Sequence, residues 1–344
     1  MKTIITGGAG FIGCNAASRY LRRGHAVVVV DNLCRDGVRE NLEWLKPQGS
    51  LEFVRLDIRN AEGLARLFKE HRDADQVLHL AAQVAVTTSV TDPREDFEVN
   101  ALGTFNVLEA MRAAGMTAPV LYSSTNKVYG EMTDVGVVEK NGRYGYQSLP
   151  QGVPEDRNLD FHSPYGCSKG AADQYVIDYH RIYGLKTIVF RQSCIYGYRQ
   201  FGAEDQGWIA WFMIAAQMDR PITVYGDGKQ VRDILFIEDL LDGYDAAFAA
   251  GGRAVGKVFN IGGGPENVLS LLELIAYIEK RRDGRLPHGN SGWRPGDQKV
   301  FVSDIRRAQA ELGWRPKIGS QQGLTLLYDW ISQNKKLFAA KVLA

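Results

Sequence analysis

The sequence predicts an α/β protein, a doubly wound parallel sheet with a smaller C-terminal substrate-binding lobe. Strand-like runs alternate with helical ones through the first 190 residues, as βαβ units do. A glycine-rich turn, Gly7-Gly8-Ala9-Gly10-Phe11-Ile12-Gly13, joins the first strand to the first helix. Beyond Phe190 the composition shifts to aromatic segments, short strands and Gly-bearing loops.

Thr3–Thr6 reads as a short buried strand, followed by a helix running to about Arg23. Glycines 8, 10 and 13 fit G-x-G-x-x-G, and glycines 7, 10 and 13 fit G-x-x-G-x-x-G. Glycine is needed there because the backbone turns tightly and approaches a pyrophosphate at the helix N-terminus, which Phe11 and Ile12 open. The next strand, Ala26–Val30, ends in Asp31, near the ~20-residue spacing expected of a ribose-binding acid, with Asn32 and Arg35 just beyond. A carboxylate at that point repels a 2′-phosphate and favours NAD over NADP, while Arg35 keeps the choice open.

Leu51–Leu56 is a strand closing with Asp57-Ile58, a plausible adenine contact, and Ala61–His71 is helical. Gln76–Leu80 is a buried strand that opens into Ala81-Ala82-Gln83, small residues that let a cofactor lie against the backbone. Glu95–Ala114 carries apolar residues near period 3.6 and reads as one helix, with Asn100 a structural hydrogen-bonder. Val120-Leu-Tyr-Ser-Ser-Thr125 is the next strand; its hydroxyls fall at a strand carboxyl end, where this fold binds ligands. Asp134–Asp160 reads as a long loop able to cover the site.

The stretch Phe161-His-Ser-Pro-Tyr165-Gly-Cys-Ser-Lys169-Gly opens a helix on which Tyr165 and Lys169 stand four apart, on one face. A phenol with pKa about 10 is a poor base at neutral pH, and an adjacent ammonium lowers that value. Such a Tyr exchanges a proton with an alcohol while a hydride leaves the same carbon. On this pattern alone, a surface Tyr and Lys that simply meet on a helix stays an open reading.

Thr187–Phe190 is a further strand, Ile222–Tyr225 a short one, Gly226–Asp233 a polar turn, and Phe236–Ala250 a helix. Val258–Gly262, a helix from about Ser270 to Arg281 and a last helix near Asp304–Leu312 complete the chain. The expected division is residues 1–190 plus about 229–252 for the dinucleotide-binding domain, and about 191–228 plus 253–344 for the second lobe. Arg199, Arg232 and Arg294 are expected in that lobe's loops, where guanidinium forks suit a diphosphate.

A net charge of +1 over 344 residues argues against a nucleic-acid surface, and no apolar run approaches the ~20 residues needed to span a bilayer. Cys14, Cys34, Cys167 and Cys194 lack metal-like spacing; no metal is expected, and reduced thiols in a cytoplasmic protein are the simplest reading.

Taken together, Gly7–Gly13, Asp31, Thr125, Tyr165 and Lys169 resemble the extended short-chain dehydrogenase/reductase superfamily, specifically its nucleotide-sugar-modifying members, over nearly the whole chain. The resemblance implies a Rossmann domain holding NAD, with Thr125, Tyr165 and Lys169 acting together. Related 4,6-dehydratases carry an Asp-Glu pair directly after the catalytic Thr; Asn126 and Lys127 stand there, which speaks against dehydration. Family 4-epimerases keep an Asn where this chain has the end of Arg191-Gln-Ser-Cys194. The runs Ser-Ser-Thr-Asn-Lys-Val-Tyr-Gly, Phe161 to Tyr175, and Arg199-Gln-Phe to Trp208 look most like the CDP-paratose (CDP-tyvelose) 2-epimerases.

That resemblance implies NAD-dependent epimerisation at C2 of a nucleotide-diphosphate hexose through a transient 2-keto sugar. It further implies sugar or phosphate contacts from Gln83, Asn126, Ser193, Arg199, Gln200, Arg232 and Arg294, and a homodimer or higher homo-oligomer through the helices near Glu95–Ala114 and Ala171–Tyr183. A 4-epimerase or another oxidoreductase of the same fold is the first alternative. A non-catalytic dinucleotide-binding protein is the second, and the intact Thr/Tyr/Lys set weighs against it.

Overall fold

A computed structural model describes residues 1–294 and 296–339; Pro295 and residues 340–344, placed by sequence in the second lobe, lie outside the described residues. Five strands open the chain: β1 (Lys2–Thr6), β2 (Ala26–Asp31), β3 (Leu51–Arg55), β4 (Gln76–His79) and β5 (Val120–Thr125). With the strands Thr187–Gln192 and Lys257–Ile261 they form one seven-stranded sheet in which every neighbour is parallel. From one edge the order is Lys257–Ile261, Thr187–Gln192, β5, β4, β1, β2, β3. The winding therefore reverses between β1 and β4, and a crevice opens at their carboxyl ends.

The strands read as continuous apolar runs because both faces are covered. Ile4, Val28, Val30, Val77 and Tyr122 face a core built with the helices Ala61–Glu70, Gly103–Ala113 and Ser163–Tyr183. Their neighbours Ile5, Val27, Val29, Leu78 and Leu121 face the opposite core, under Phe11–Arg22 and Ile237–Ala250. Arg19 clips those two helices together through Asp242 and Asp245 at 2.8 and 3.0 Å.

The second lobe holds a small mixed sheet in which Val231–Phe236 pairs with Cys194–Tyr196, Val268–Ser270 and Val300–Phe301. Ile222–Tyr225 pairs separately with His288–Ser291. The expected polar turn Gly226–Asp233 thus becomes strand from Val231 onward: Arg232 and Asp233 are buried in it because each finds polar partners there. The expected boundaries shift accordingly. Residues 231–236 belong to the second lobe's sheet, and 257–261 to the large one.

The single helix expected over Glu95–Ala114 is broken into Pro93–Phe97, a wide π turn at Glu98–Leu102, and Gly103–Ala113. The π turn presents Asn100 to Gln83, Asp96 and Ser168, which fits its reading as a structural hydrogen-bonder. Within 134–160 the strands Val137–Lys140 and Arg143–Tyr146 form a hairpin. Asn141 and Gly142, both at positive φ, make its two-residue turn. The hairpin packs on the second lobe, with the Tyr146 hydroxyl donating to the Val300 carbonyl at 3.0 Å, and so is not a cover for the crevice. The helices Ser320–Gln333 and Lys336–Ala339 follow the last helix expected from sequence.

Candidate active site

A continuous cleft of about 870 Å³ runs from the β1–β4 crevice into the second lobe. Every candidate site residue singled out from the sequence lines it, from Gly7 and Asp31 at one end to Arg232 and Arg294 at the other. No residue between Lys127 and Tyr165 does.

The cofactor end is shaped by absent side chains. A Cβ on Gly13 would lie 2.1 Å from the Gly7 carbonyl oxygen, and one on Gly7, at φ +68°, would lie 2.7 Å from the Ala81 amide. Gly10 caps the first helix without a side chain, and that helix has no acidic residue in its first turn. Its free N–H groups and positive end are left for an anion. Asp31 ends β2 with Oδ2 accepting from the Ala9 amide (3.1 Å) and Oδ1 from Leu33 (2.8 Å). Asn32 donates to Asp57 at 2.9 Å, linking the loops that follow β2 and β3, and Arg59 holds the Asp57 carboxyl down to about 2. The Gln83 side chain is spent locally, donating to the Ala85 carbonyl and to Asp96. These residues fit a dinucleotide with its pyrophosphate on the glycine turn.

Thr125 ends β5, and Tyr165 enters from the first turn of Ser163–Tyr183, where the Tyr165 amide donates to Ser89 Oγ at 3.1 Å. Lys169 lies one turn on, its ammonium donating to the Ser123 carbonyl at 2.6 Å and standing 4.3 Å from the Tyr122 ring centre. Burial brings Lys169 down to about 7, against Asp173 and Asp96, which raise it. The phenol lies above its ordinary value, opposite to the lowering expected from this lysine. Burial pushes Tyr165 up to about 12, a hydrogen bond with Thr125 pulls it down, and Asp96 opposes. The ammonium is turned to a carbonyl and its charge is itself suppressed, so it contributes little to the phenolate.

At the far end Arg232 is already partnered by Asp297 and by the Val231 carbonyl, and Arg294 lies 3.8 Å over the Tyr225 ring while donating to the Glu204 carbonyl. Ser193 donates to Asp233. Arg199 stacks on Trp44 at 4.2 Å, with its backbone held by Asn41, which also reaches Ala9 on the glycine turn. Gln200 is buried, with Oε1 unpartnered among the described residues. Sequence reasoning missed Asp96, a fully buried carboxylate bonded to Ser168 and Asn100 behind Lys169, because nothing local marks it.

Residues 4–327 match the family described as GDP-mannose 4,6 dehydratase. The chain belongs to that family. Within it, the CDP-paratose 2-epimerase of Salmonella typhi is 47% identical over 96% of this chain and 99% of its own. A dTDP-glucose 4,6-dehydratase of Xanthomonas campestris pv. campestris (strain B100) is 32% identical over 96% and 93%. By sequence the chain sides with the epimerases, in keeping with Asn126 and Lys127 in place of a carboxylate pair. The fold is that of solved relatives. The UDP-glucose 4-epimerase of Thermus thermophilus, in complex with NAD, has TM-score 0.81 at 33% identity, covering 96% of this chain and 98% of that one. The UDP-glucuronic acid 4-epimerase of Bacillus cereus, in complex with UDP-glucuronic acid and NAD, has TM-score 0.82 at 29%, covering 97% and 100%.

Proposed function

We propose that the protein is an NAD-dependent isomerase that inverts C2 of a nucleotide-diphosphate hexose of the CDP-paratose/CDP-tyvelose type. The observation that carries this reading is the meeting of Thr125, Tyr165 and Lys169 in one cleft with a dinucleotide-shaped end, in a chain 47% identical to a CDP-paratose 2-epimerase. NAD supplies the site with a hydride acceptor and donor. Tyr165, in its phenolate form, would take the C2 hydroxyl proton as the C2 hydrogen departs with its electron pair, giving a 2-keto sugar, and would return that proton when hydrogen is delivered to the opposite face. Thr125 orients the reacting oxygen. Lys169 would bind the nicotinamide ribose. Arg232 and Arg294 grip the diphosphate, with Asn126, Ser193, Arg199 and Gln200 as further contacts.

The large-sheet domain serves the dinucleotide and the second lobe the nucleotide sugar. A homodimer pairs the helices that leave Phe97, Leu102, Tyr175, Ile182 and Tyr183 exposed. Four free cysteines suit a cytoplasmic enzyme, and no helix among the described residues is long and apolar enough to cross a membrane. Incubation with CDP-paratose, CDP-tyvelose and a panel of other nucleotide hexoses, read by NMR, tests the reading. A C2 epimer is expected; a product inverted only at C4, or a dehydrated one, overturns it.

A further inference from the structure

Lys127 is a cation in the cleft without a carboxylate. Its ammonium donates to the Gly296 carbonyl at 3.1 Å and lies 3.5 Å from Gln298 Oε1, and among the described residues it forms no ion pair. The carboxylate that stands nearby, Asp297, is taken by Arg232. Lys127 is half-buried in the cleft wall, and a ligand that fills the cleft covers what remains of its exposure. A desolvated ammonium facing only carbonyl dipoles is costly, and an anionic group on the ligand removes that cost.

The position of Lys127 says which anion. Its amide donates to Thr125 Oγ1 at 3.3 Å, and its carbonyl oxygen lies within 3.2 Å of where a Cβ on Gly166, the residue after Tyr165, would sit. The backbone of Lys127 is therefore packed against both residues proposed to handle the reacting hydroxyl, and its ammonium reaches across the cleft wall from there to Gly296 and Gln298, beside the Arg232–Asp297 pair. In a nucleotide hexose the phosphate hangs on C1. C2 is bonded to C1, whereas C4 lies across the ring, so only a C2 epimerase needs its phosphate beside the Tyr and Thr.

We propose that Lys127 binds the phosphate attached to the anomeric carbon and so sets C2, rather than C4, against Tyr165. This rests on the C2 reading above for its regiochemistry, but the phosphate contact stands apart from it. Burial and the neighbouring Arg232 bring the Lys127 ammonium down to about 8, while Asp297 and Cys194 raise it. A bound phosphate favours the charged form, so affinity should fall as pH rises past 8, and an arginine in its place should abolish that fall.

The test uses the NAD-loaded protein with Lys127→Met and Lys127→Arg, titrated calorimetrically with cytidine diphosphate and uridine diphosphate. Lys127→Met should bind the better of the two at least about tenfold more weakly, the loss of one charge-assisted contact, with NAD content unchanged. Lys127→Arg should restore most of the affinity. Between about pH 7 and 9.5 the wild type should lose affinity and Lys127→Arg should not. Equal binding by wild type and Lys127→Met overturns the proposal, and so does a wild-type affinity that is flat with pH, which also decides the matter if Lys127→Met does not fold. Lys127-dependent binding together with a C4-inverted product would sink the C2 reading and leave the phosphate contact. A C2-inverted product with Lys127-independent binding would do the reverse.

Discussion

Arg191 and Asp173 meet as a two-pronged ion pair inside the molecule, Nε to Oδ2 and Nη2 to Oδ1 each at 3.0 Å, with side chains 4% and 0% exposed. Ser124 donates to the same carboxylate at 2.7 Å, and Arg191 Nη1 donates to the Tyr129 hydroxyl at 3.1 Å. The pair thus fixes the end of β5 from beneath, one residue before Thr125. Removing one partner strands the other as a buried, uncompensated charge. Asp173→Ala should cost ~3–5 kcal/mol of unfolding free energy in urea titrations. A loss under about 1 kcal/mol would mean that the pair is dispensable.

Tyr165→Phe keeps the ring and removes the proton-transfer group. Turnover should fall about 10²-fold or more, with NAD retained as judged by absorbance of the released cofactor. Near-normal turnover would place the base elsewhere.

Asp31 already accepts two backbone N–H bonds, so it is fixed in place and cannot swing away from a 2′-phosphate. NAD should bind at least about tenfold more tightly than NADP in direct titration. Equal or tighter NADP binding would remove the carboxylate from cofactor choice.

The C2 hydrogen of a hexose has no neighbouring carbonyl to acidify it, so direct deprotonation is implausible and the hydrogen should travel with its sugar. Epimerisation in D₂O should give product without deuterium at C2, and substrate labelled there should keep its label. Extensive wash-in from solvent would defeat the hydride route.

Burial holds Lys169 at about 7 in the fold, well below its ordinary 10.5. Below about 7 its charge is present in both states and the burial cost is felt in full. Between 7 and 10.5 the unfolded chain holds the extra proton, so this lysine's penalty shrinks as pH rises. The stability of wild type relative to Lys169→Met should therefore improve from about pH 6 to about pH 9.5. A constant difference across that window would show that the ammonium does not titrate there.

What could be read from the sequence is what short-range spacing encodes. The glycine turn, Asp31 twenty-odd residues on and the Tyr165/Lys169 pair each declare themselves within one element or one βα unit. Arg232 and Lys127 do not. Their partners Asp297 and Gly296 come from 65 and 169 residues away, so whether either cation is free or paired is decided by tertiary structure alone. The same limit hid the strand at Val231–Phe236, since two charged residues in a row mimic a turn until their buried partners are seen. The hairpin at Val137–Tyr146 did carry a local signal, Asn141-Gly142, that its polar surroundings masked.

The chain passes from the large sheet to the small one between Gln192 and Cys194, returns through Phe236 and Ile237 to the helix and strand ending at Ile261, and leaves again for Val268. The junctions at Gln192 and Phe236 lie in or against buried strand ends. The two lobes are consequently not exchangeable cassettes: grafting a relative's sugar-binding half onto this dinucleotide half would need several simultaneous splices through the core. New substrates are reached more readily by changing individual cleft-wall residues, which lie scattered along the chain, than by recombining whole segments.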